Sequence, residues 1–352
     1  MTTAQVDVTQ TTGKNTVTSS SSPVADFYFA CAVIVIGIVG TAANALIFYA
    51  LVASKQHKKQ VLIVNQNVLD LLSRLFLALT YALKISNISL SGVLGYWLCM
   101  LLLSENILWC ATNASVINLC FIAIERYLKI VHPVWSKKKL RIWMTHSSTA
   151  LPWIISFSYN MTAVFTTSAV IDGVCHGYVI FENSMDKMVH GVSYFLSFYA
   201  GSLLIFVLCY WRILVAIRRQ ARVMTSHSTV GTAQATAAQA KDNQIQSNVI
   251  KTMILVCAFF AIAWLPGNVY YLLVSVDVEL TLRESSYYAV IFISFLYICV
   301  NPFIYATKFD PVKRTLMRLI PCKKDQQPVH SVDIKAPTTR TTAKRAVQEC
   351  NL

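Results

Sequence analysis

The sequence predicts an all-α membrane protein, a seven-transmembrane helix bundle with a short amphipathic eighth helix on the inner membrane surface. Three observations carry this prediction. The 352 residues are 55% hydrophobic and only 13% charged, whereas a soluble domain carries about a quarter charged residues. Several near-uninterrupted apolar stretches exceed the roughly 20 residues that a helix needs to cross a bilayer. Unpaired backbone is not tolerated in lipid, and the alternating ten-residue pattern of a barrel is absent, which leaves helices. The loops between the stretches also alternate in charge.

Seven spans follow, at 27–53, 61–84, 96–128, 142–168, 187–211, 249–275 and 285–307. The segments 54–60, 129–141, 211–251 and 306–352 hold, with Arg126, 25 of the 30 Lys and Arg. The opposite side has four (Lys14, Lys84, Lys187, Arg283) against eight acids (Asp7, Asp26, Asp172, Glu182, Asp186, Asp277, Glu279, Glu284). The basic loops are therefore expected in the cytoplasm, with the amino terminus outside and the carboxyl terminus inside. This distribution accounts for the net charge of +14 and argues against nucleic acid as a partner.

Residues 1–26 form a polar, Ser/Thr-rich tail without the apolar core of a cleavable signal. Disorder is expected there, O-glycosylation is plausible, and the first span acts as targeting signal. The seven spans make one domain, 27–308. Cys31, Cys110, Cys120, Cys209, Cys257 and Cys299 lie within spans, as small apolar residues. Cys322 and Cys350 are cytoplasmic, where disulfides are rare. Only Cys99 and Cys175 face the oxidising side, which leaves one pairing. In the third inner loop, "STVGTAQATAAQAKDNQ" is a low-complexity linker expected to stay flexible.

The eighth helix is expected over 309–321. Asp310 suits its cap and Pro311 its first turn. Val312, Leu316, Leu319 and Ile320 make an apolar face opposite Lys313, Arg314 and Arg318. Cys322, directly after it, is a candidate for palmitoylation into the membrane lipids. The tail 322–352 is expected to be disordered, with Ser331, Thr338, Thr339, Thr341 and Thr342 open to phosphorylation. Sequons stand at Asn87, Asn113 and Asn160, of which Asn87 is the glycosylation candidate.

Polar residues within spans are costly and point to function. Asn44, Asp70, Ser115 and Asn301 lie near mid-membrane. They fit either a water or sodium site or a network that ties helices together. Arg74, one turn beyond Asp70, permits an internal ion pair that competes with any cation. Trp264 and Pro266 in "AIAWLPGN" and Asn301, Pro302 and Tyr305 in "NPFIY" mark two kinked helices. Inner ends below such kinks can swing.

"ERY" (Glu125, Arg126, Tyr127) closes the third span. With Asn44, Asp70, Trp153, Tyr210, "WLP", "NPFIY", the outer cysteine pair and the helix ending at Cys322, it resembles the pattern of rhodopsin-like G-protein-coupled receptors. The resemblance covers residues 27–322. It implies that an extracellular ligand activates a heterotrimeric G protein at the plasma membrane, with arrestin and receptor kinases as further partners. It also implies that Glu125 holds Arg126 at rest, that Arg126 then engages the G protein with Tyr210 and Tyr305, and that Trp264 senses ligand. No cofactor is expected beyond an allosteric sodium ion.

The chain departs from the family at four places. Cys99 lies 27 residues before Arg126, about 40 Å of continuous helix; this is about two residues more than usual, so the outer end of the third helix should be irregular. Gln66 and Asn67 replace a Leu-Ala pair, Ser202 stands where the fifth span has proline, and Gln246 stands where many members carry an acid that latches Arg126.

Leu108 occupies the place of the monoamine-binding Asp, and Phe295 that of the retinal-binding Lys, so neither ligand is expected. The outer half offers Glu105, Leu108, Trp109, Tyr194, Trp264, Asn268, Tyr271 and Tyr288, with Asn106, Tyr159 and Asn160 nearby. This aromatic, mildly acidic vestibule suits a peptide or basic small molecule, with a lipid as the alternative. Glu105 would meet a basic ligand group, or else bond a neighbouring helix. No nucleophile–base pair or metal-ligand spacing indicates an enzyme. The alternatives are a transporter or pump, which lacks its repeated halves or lysine here, and a receptor-like scaffold without coupling.

Overall fold

A computed structural model describes residues 23–58, 60–139, 142–176, 184–226, 233–278 and 284–319. The tail expected over 1–26 (but for its last four residues), Cys322, the carboxyl-terminal tail and the Gln246 side chain lie outside the described residues. Seven spans form the bundle. The first is α1 (Pro23–Ala53) and the second α2 (Val61–Ile85). The third is built from α3 (Gly92–Leu98), a π-helical turn (Cys99–Leu103) and α4 (Asn106–Val131). A short inner-loop helix, α5 (Pro133–Lys139), precedes the fourth span, α6 (Ile142–Thr167).

The fifth span is α7 (Ser184–Tyr194), a second π turn (Phe195–Ala200) and α8 (Gly201–Ser226). The sixth is α9 (Ala233–Ser275), the seventh α10 (Glu284–Lys308), and α11 (Asp310–Leu319) follows directly. α4 is central and packs against α2, α6 and α8, while α1 closes the ring between α2 and α10.

Among the described residues, five stretches are long and apolar enough to cross a membrane on length and composition alone: Pro23–Ala53, Gly92–Val131, Ser184–Arg219, Ile250–Ser275 and Tyr288–Lys308. α2 falls short because it carries Asn65, Gln66, Asn67, Asp70 and Arg74, and α6 because its inner end is polar from Thr145 to Thr149. Both cross within the bundle, with the α2 stripe turned inward: Gln66, Asn67, Asp70 and Arg74 are fully buried. The lipid-facing surface is apolar, with Val207 64% and Ile262 73% exposed. α1 and α2 approach closely at Gly37, where a Cβ would sit 2.9 Å from Ala78; small residues permit such contacts between membrane helices.

One sequence expectation changes, and one departure finds its structural counterpart. The Ala/Thr/Gln linker is helical from Ala233 onward, because alanine has the highest helix propensity. In the fifth span the work of the absent proline falls to the π turn at Phe195–Ala200, with Ser202 buried just beyond it. The third span is irregular as expected. After its π turn, Glu105 adopts left-handed backbone (φ 60°, ψ 12°) and starts α4.

α11 begins at Asp310, and its buried Val312 and half-buried Leu316 pack on the bundle. Lys313, Arg314 and Arg318 are exposed, and so is Leu319, expected on the apolar face. On the outer side, β1 (Ala169–Ile171) and β2 (Val174–His176) form a hairpin. Its Asp172–Gly173 turn has positive φ at both residues (52° and 76°), the geometry that suits hairpin twist. Cys175 is disulfide-bonded to Cys99 at a Cα separation of 5.3 Å, and Leu90 N–H donates to Gly173 O at 2.9 Å.

The disulfide thus fastens the hairpin to the irregular turn of the third span. Cys99→Ser and Cys175→Ser should each cost about 2–4 kcal/mol of stability, with the double variant no worse than either single. Thermal unfolding of the purified protein checks this; additive losses would disprove the pairing.

Candidate functional site

Three layers of polar and aromatic residues run through the bundle, with Trp264 between the upper two. α9 carries Pro266 within the helix on its exposed side, while Trp264 and Asn268 point inward at 5% and 7% exposure. The outer cavity is lined by Thr112, Asn113 and Val116 of α4, Tyr194 and Phe198 of the fifth span, and Phe260, Trp264 and Asn268 of α9. It contains no charged side chain. Tyr194 Oη donates to Asn113 Oδ1 at 3.1 Å and Asn113 Nδ2 to Asn160 Oδ1 at 3.4 Å, joining α7, α4 and α6. Above it Tyr159, His190, Tyr194 and Tyr271 form an aromatic cluster, with Tyr194 edge-on to Tyr271 at 5.5 Å. Outermost, Ser184 and Lys187 donate to Asp277, linking α7 to the end of α9. These two donors hold the Asp277 carboxyl below the usual carboxylate range.

The outer site residues expected from sequence divide into three groups. Tyr194, Trp264 and Asn268 share the cavity, Tyr271 stands above it, and Trp109 meets Trp264 edge-on at 6.0 Å. Glu105 is held by one neighbouring helix and by its own: it accepts from Lys84 of α2 and from Trp109 Nε1 of α4 at 3.2 Å. The left-handed backbone aims it there, and the vestibule loses its free acid. Leu108 lies apart, in an apolar cluster with Val33, Leu77 and Phe295. Tyr288 also lies apart, donating to Asp26 between α1 and α10. Thr112, Asn113, Phe198 and Phe260 were missed; their spacing along α4 and across the π turn is their only sequence signal. Asn113 and Asn160 are buried sequons, whereas Asn87 is exposed in the turn after α2.

Below Trp264 a second small cavity is lined by Asp70, Ser73, Thr112, Ser115, Val116, Leu119, Phe260, Trp264 and Tyr297. Asp70 is fully buried. Its Oδ1 accepts from Ser115 Oγ at 2.7 Å and Gln66 Nε2 at 3.1 Å, and its Oδ2 from Asn301 Nδ2 at 3.0 Å. Gln66 Oε1 accepts from Asn118 (2.9 Å), Asn118 Oδ1 from Asn65 (2.9 Å), and Asn65 Oδ1 from Trp153 Nε1 (3.3 Å). One chain of bonds therefore joins α10, α2, α4 and α6. Asn44 stands beside it, accepting from Asn67 at 3.1 Å. The residues missed here are Gln66, Asn65 and Asn118, although Gln66 stood out as a departure from the family pattern.

At the inner face, Arg126 Nη2 donates to Gln60 Oε1 at 2.8 Å and lies 3.6 Å from Glu125 Oε2. Glu125 binds Lys129 more closely, at 2.6 Å. The structure thus shares Glu125 between two cations and gives Arg126 a second holder, Gln60 at the start of α2, which sequence reasoning missed. Tyr127 faces His132, with Oη 3.2 Å from Nε2. Tyr210 is buried beside Cys257. Tyr305 is buried near Pro302, and its hydroxyl has no hydrogen-bond partner among the described residues. Asn248 of α9 donates to Asp310 Oδ2 at 2.8 Å, so the residue expected to cap α11 instead ties α9 to it.

The model of the rhodopsin family of seven-transmembrane receptors matches residues 43–305. Relatives include a somatostatin receptor type 3 of Mus musculus, 25% identical over 313 residues, 82% of this chain and 67% of that protein. An adenosine receptor A3 of Ovis aries is 24% identical over 265 residues (73% and 77%). A neuropeptide Y receptor type 6 of Mus musculus is 22% identical over 311 residues (82% and 78%). With the bundle, the outer disulfide and the motifs in place, the chain belongs to the rhodopsin family of seven-transmembrane receptors.

Proposed function

We propose that this G-protein-coupled receptor binds its ligand in the outer cavity and passes the signal through Trp264 to nucleotide exchange on a heterotrimeric G protein. The observation that carries this is the position of Trp264, which walls both the outer cavity and the cavity of Asp70. A ligand that moves the indole changes the packing of Phe260 and Tyr297 on it. These rings lead to Asn301 and Tyr305 and so to the inner face. Arginine and kinked helices there provide the bistable element that such a switch needs.

The ligand is a peptide or small molecule rather than a monoamine or retinal. Leu108 offers no carboxylate to an ammonium, and Glu105 is occupied by Lys84 and Trp109. The part that reaches Trp264 meets aromatic walls, two amides and a threonine hydroxyl, which favours an uncharged, hydrogen-bonding aromatic group. The named relatives bind peptides and a nucleoside, by their names, and both ligand types carry such groups. The basic face lies in the cytoplasm, where arrestin and receptor kinases would also engage it.

At rest, Gln60 and Glu125 hold Arg126 while Asn248–Asp310 holds α9. The decisive screen sets peptide and nucleoside libraries against the receptor with a promiscuous G-protein readout. Arg126→Ala should abolish activation with surface expression retained; unchanged signalling would remove Arg126 from the mechanism. Asp310→Ala should raise ligand-free nucleotide exchange about fivefold, the effect of losing about 1 kcal/mol of latch. An unchanged basal rate would mean that α9 is held elsewhere. Trp264→Phe, which keeps an aromatic wall, should uncouple ligand binding from exchange, seen as binding that persists without activation.

A further inference from the structure

Asp70 and Arg74 are the only charged side chains buried among the described residues. They lie one turn apart on α2 and are both 0% exposed, and the Nε, Nη1 and Nη2 of Arg74 are all shut away from solvent. A guanidinium does not give up its proton. A fixed charge at membrane depth persists only where an opposite charge compensates it. Asp70, the other charged side chain buried among the described residues, is the acid one turn away on the same helix.

The groups that touch the carboxylate point the same way. Ser115, Gln66 and Asn301 all present hydrogens to it. Gln66 also donates to the hydroxyl oxygen of Ser115, so that lone pair is taken as well. A small alkali cation requires the reverse arrangement, with oxygen lone pairs converging on one point. It would also add a second positive charge to a pair that is already neutral. The residues present do not fit a sodium ion.

We infer that Arg74 is the resident counter-cation of Asp70, and that the inner cavity takes water or nothing in place of sodium. The receptor then carries its ion within its own chain. Its resting state is insensitive to the sodium concentration outside the cell, and the central charge balance does not change when the bundle opens. The inference is independent of ligand and G protein, so it stands or falls separately from the proposed function.

The test uses the purified full chain, unfolded by heat in sodium chloride and in choline chloride at equal ionic strength. The wild type should show the same midpoint in both salts, within about 1 °C. Arg74→Met removes the internal cation, which frees the Ser115 hydroxyl and the Gln66 and Asn301 amides to turn their oxygens inward, and should gain a sodium-specific rise of roughly 2 °C or more; Asp70→Asn in the same chain should abolish that rise. A sodium-specific rise in the wild type, or a folded Arg74→Met without one, overturns the inference. Should Arg74→Met not fold, Asp70→Asn alone decides with its double. The single variant leaves an uncompensated guanidinium, so Asp70→Asn/Arg74→Met should melt higher than Asp70→Asn; an equal or lower midpoint also overturns it.

Discussion

Asp70 has no access to bulk water inside the bundle, so the protein itself must meet its charge, and doing so fixes three helices at once. Ser115 comes from α4, Asn301 from α10, and Gln66 and Arg74 from α2 itself. Burying a carboxylate is tolerable only when nearly every lone pair finds a donor. Satisfying this one sets the rotation of each contributing helix about its axis. The chain then extends through Asn118 and Asn65 to Trp153, which orients α6 as well. In a lipid environment, where apolar contact alone does not sort helices, such bonds define which faces meet.

The outer and inner layers depend on this centre in different ways. Above it the contacts are aromatic rings and hydroxyls, joined by single hydrogen bonds such as Tyr194 to Asn113. Each is readily exchanged for a bond to a ligand. Below it lie charged groups at the membrane edge, where water screens them and single contacts are weak. Asn248–Asp310 and Arg126–Gln60 are latches of that kind. The centre is therefore the stable part, and the two ends are where small molecules and protein partners can alter the balance.

Much of this was legible in the sequence. Runs of apolar residues gave the spans, and elimination gave Cys99 with Cys175. Motif spacing placed Asp70, Ser115 and Asn301 together before any coordinates. What escaped were contacts that depend on the rotation of one helix against another. Gln60 lies 66 residues from Arg126 and comes from a loop end, so no local pattern links them. Glu105 looked like an acid for a ligand because its neighbour Lys84 is on a different helix. The fifth span did carry a signal: Tyr194, Phe198, Ser202, Phe206 and Tyr210 are spaced by four throughout. In a pure α-helix that stripe drifts by about 160° over its four steps, and the extra residue of the π turn takes back about 100° of it.

That π turn has a mechanical consequence. It contributes one extra residue between Tyr194, in the outer layer, and Tyr210, near Arg126. One residue of α-helix corresponds to about 100° of rotation. The two halves of the fifth span are thus phased by a bulge rather than by continuous winding. The span works as a crank with one residue of slack: if the bulge closes or migrates, the lower half turns against the upper without either losing its helix.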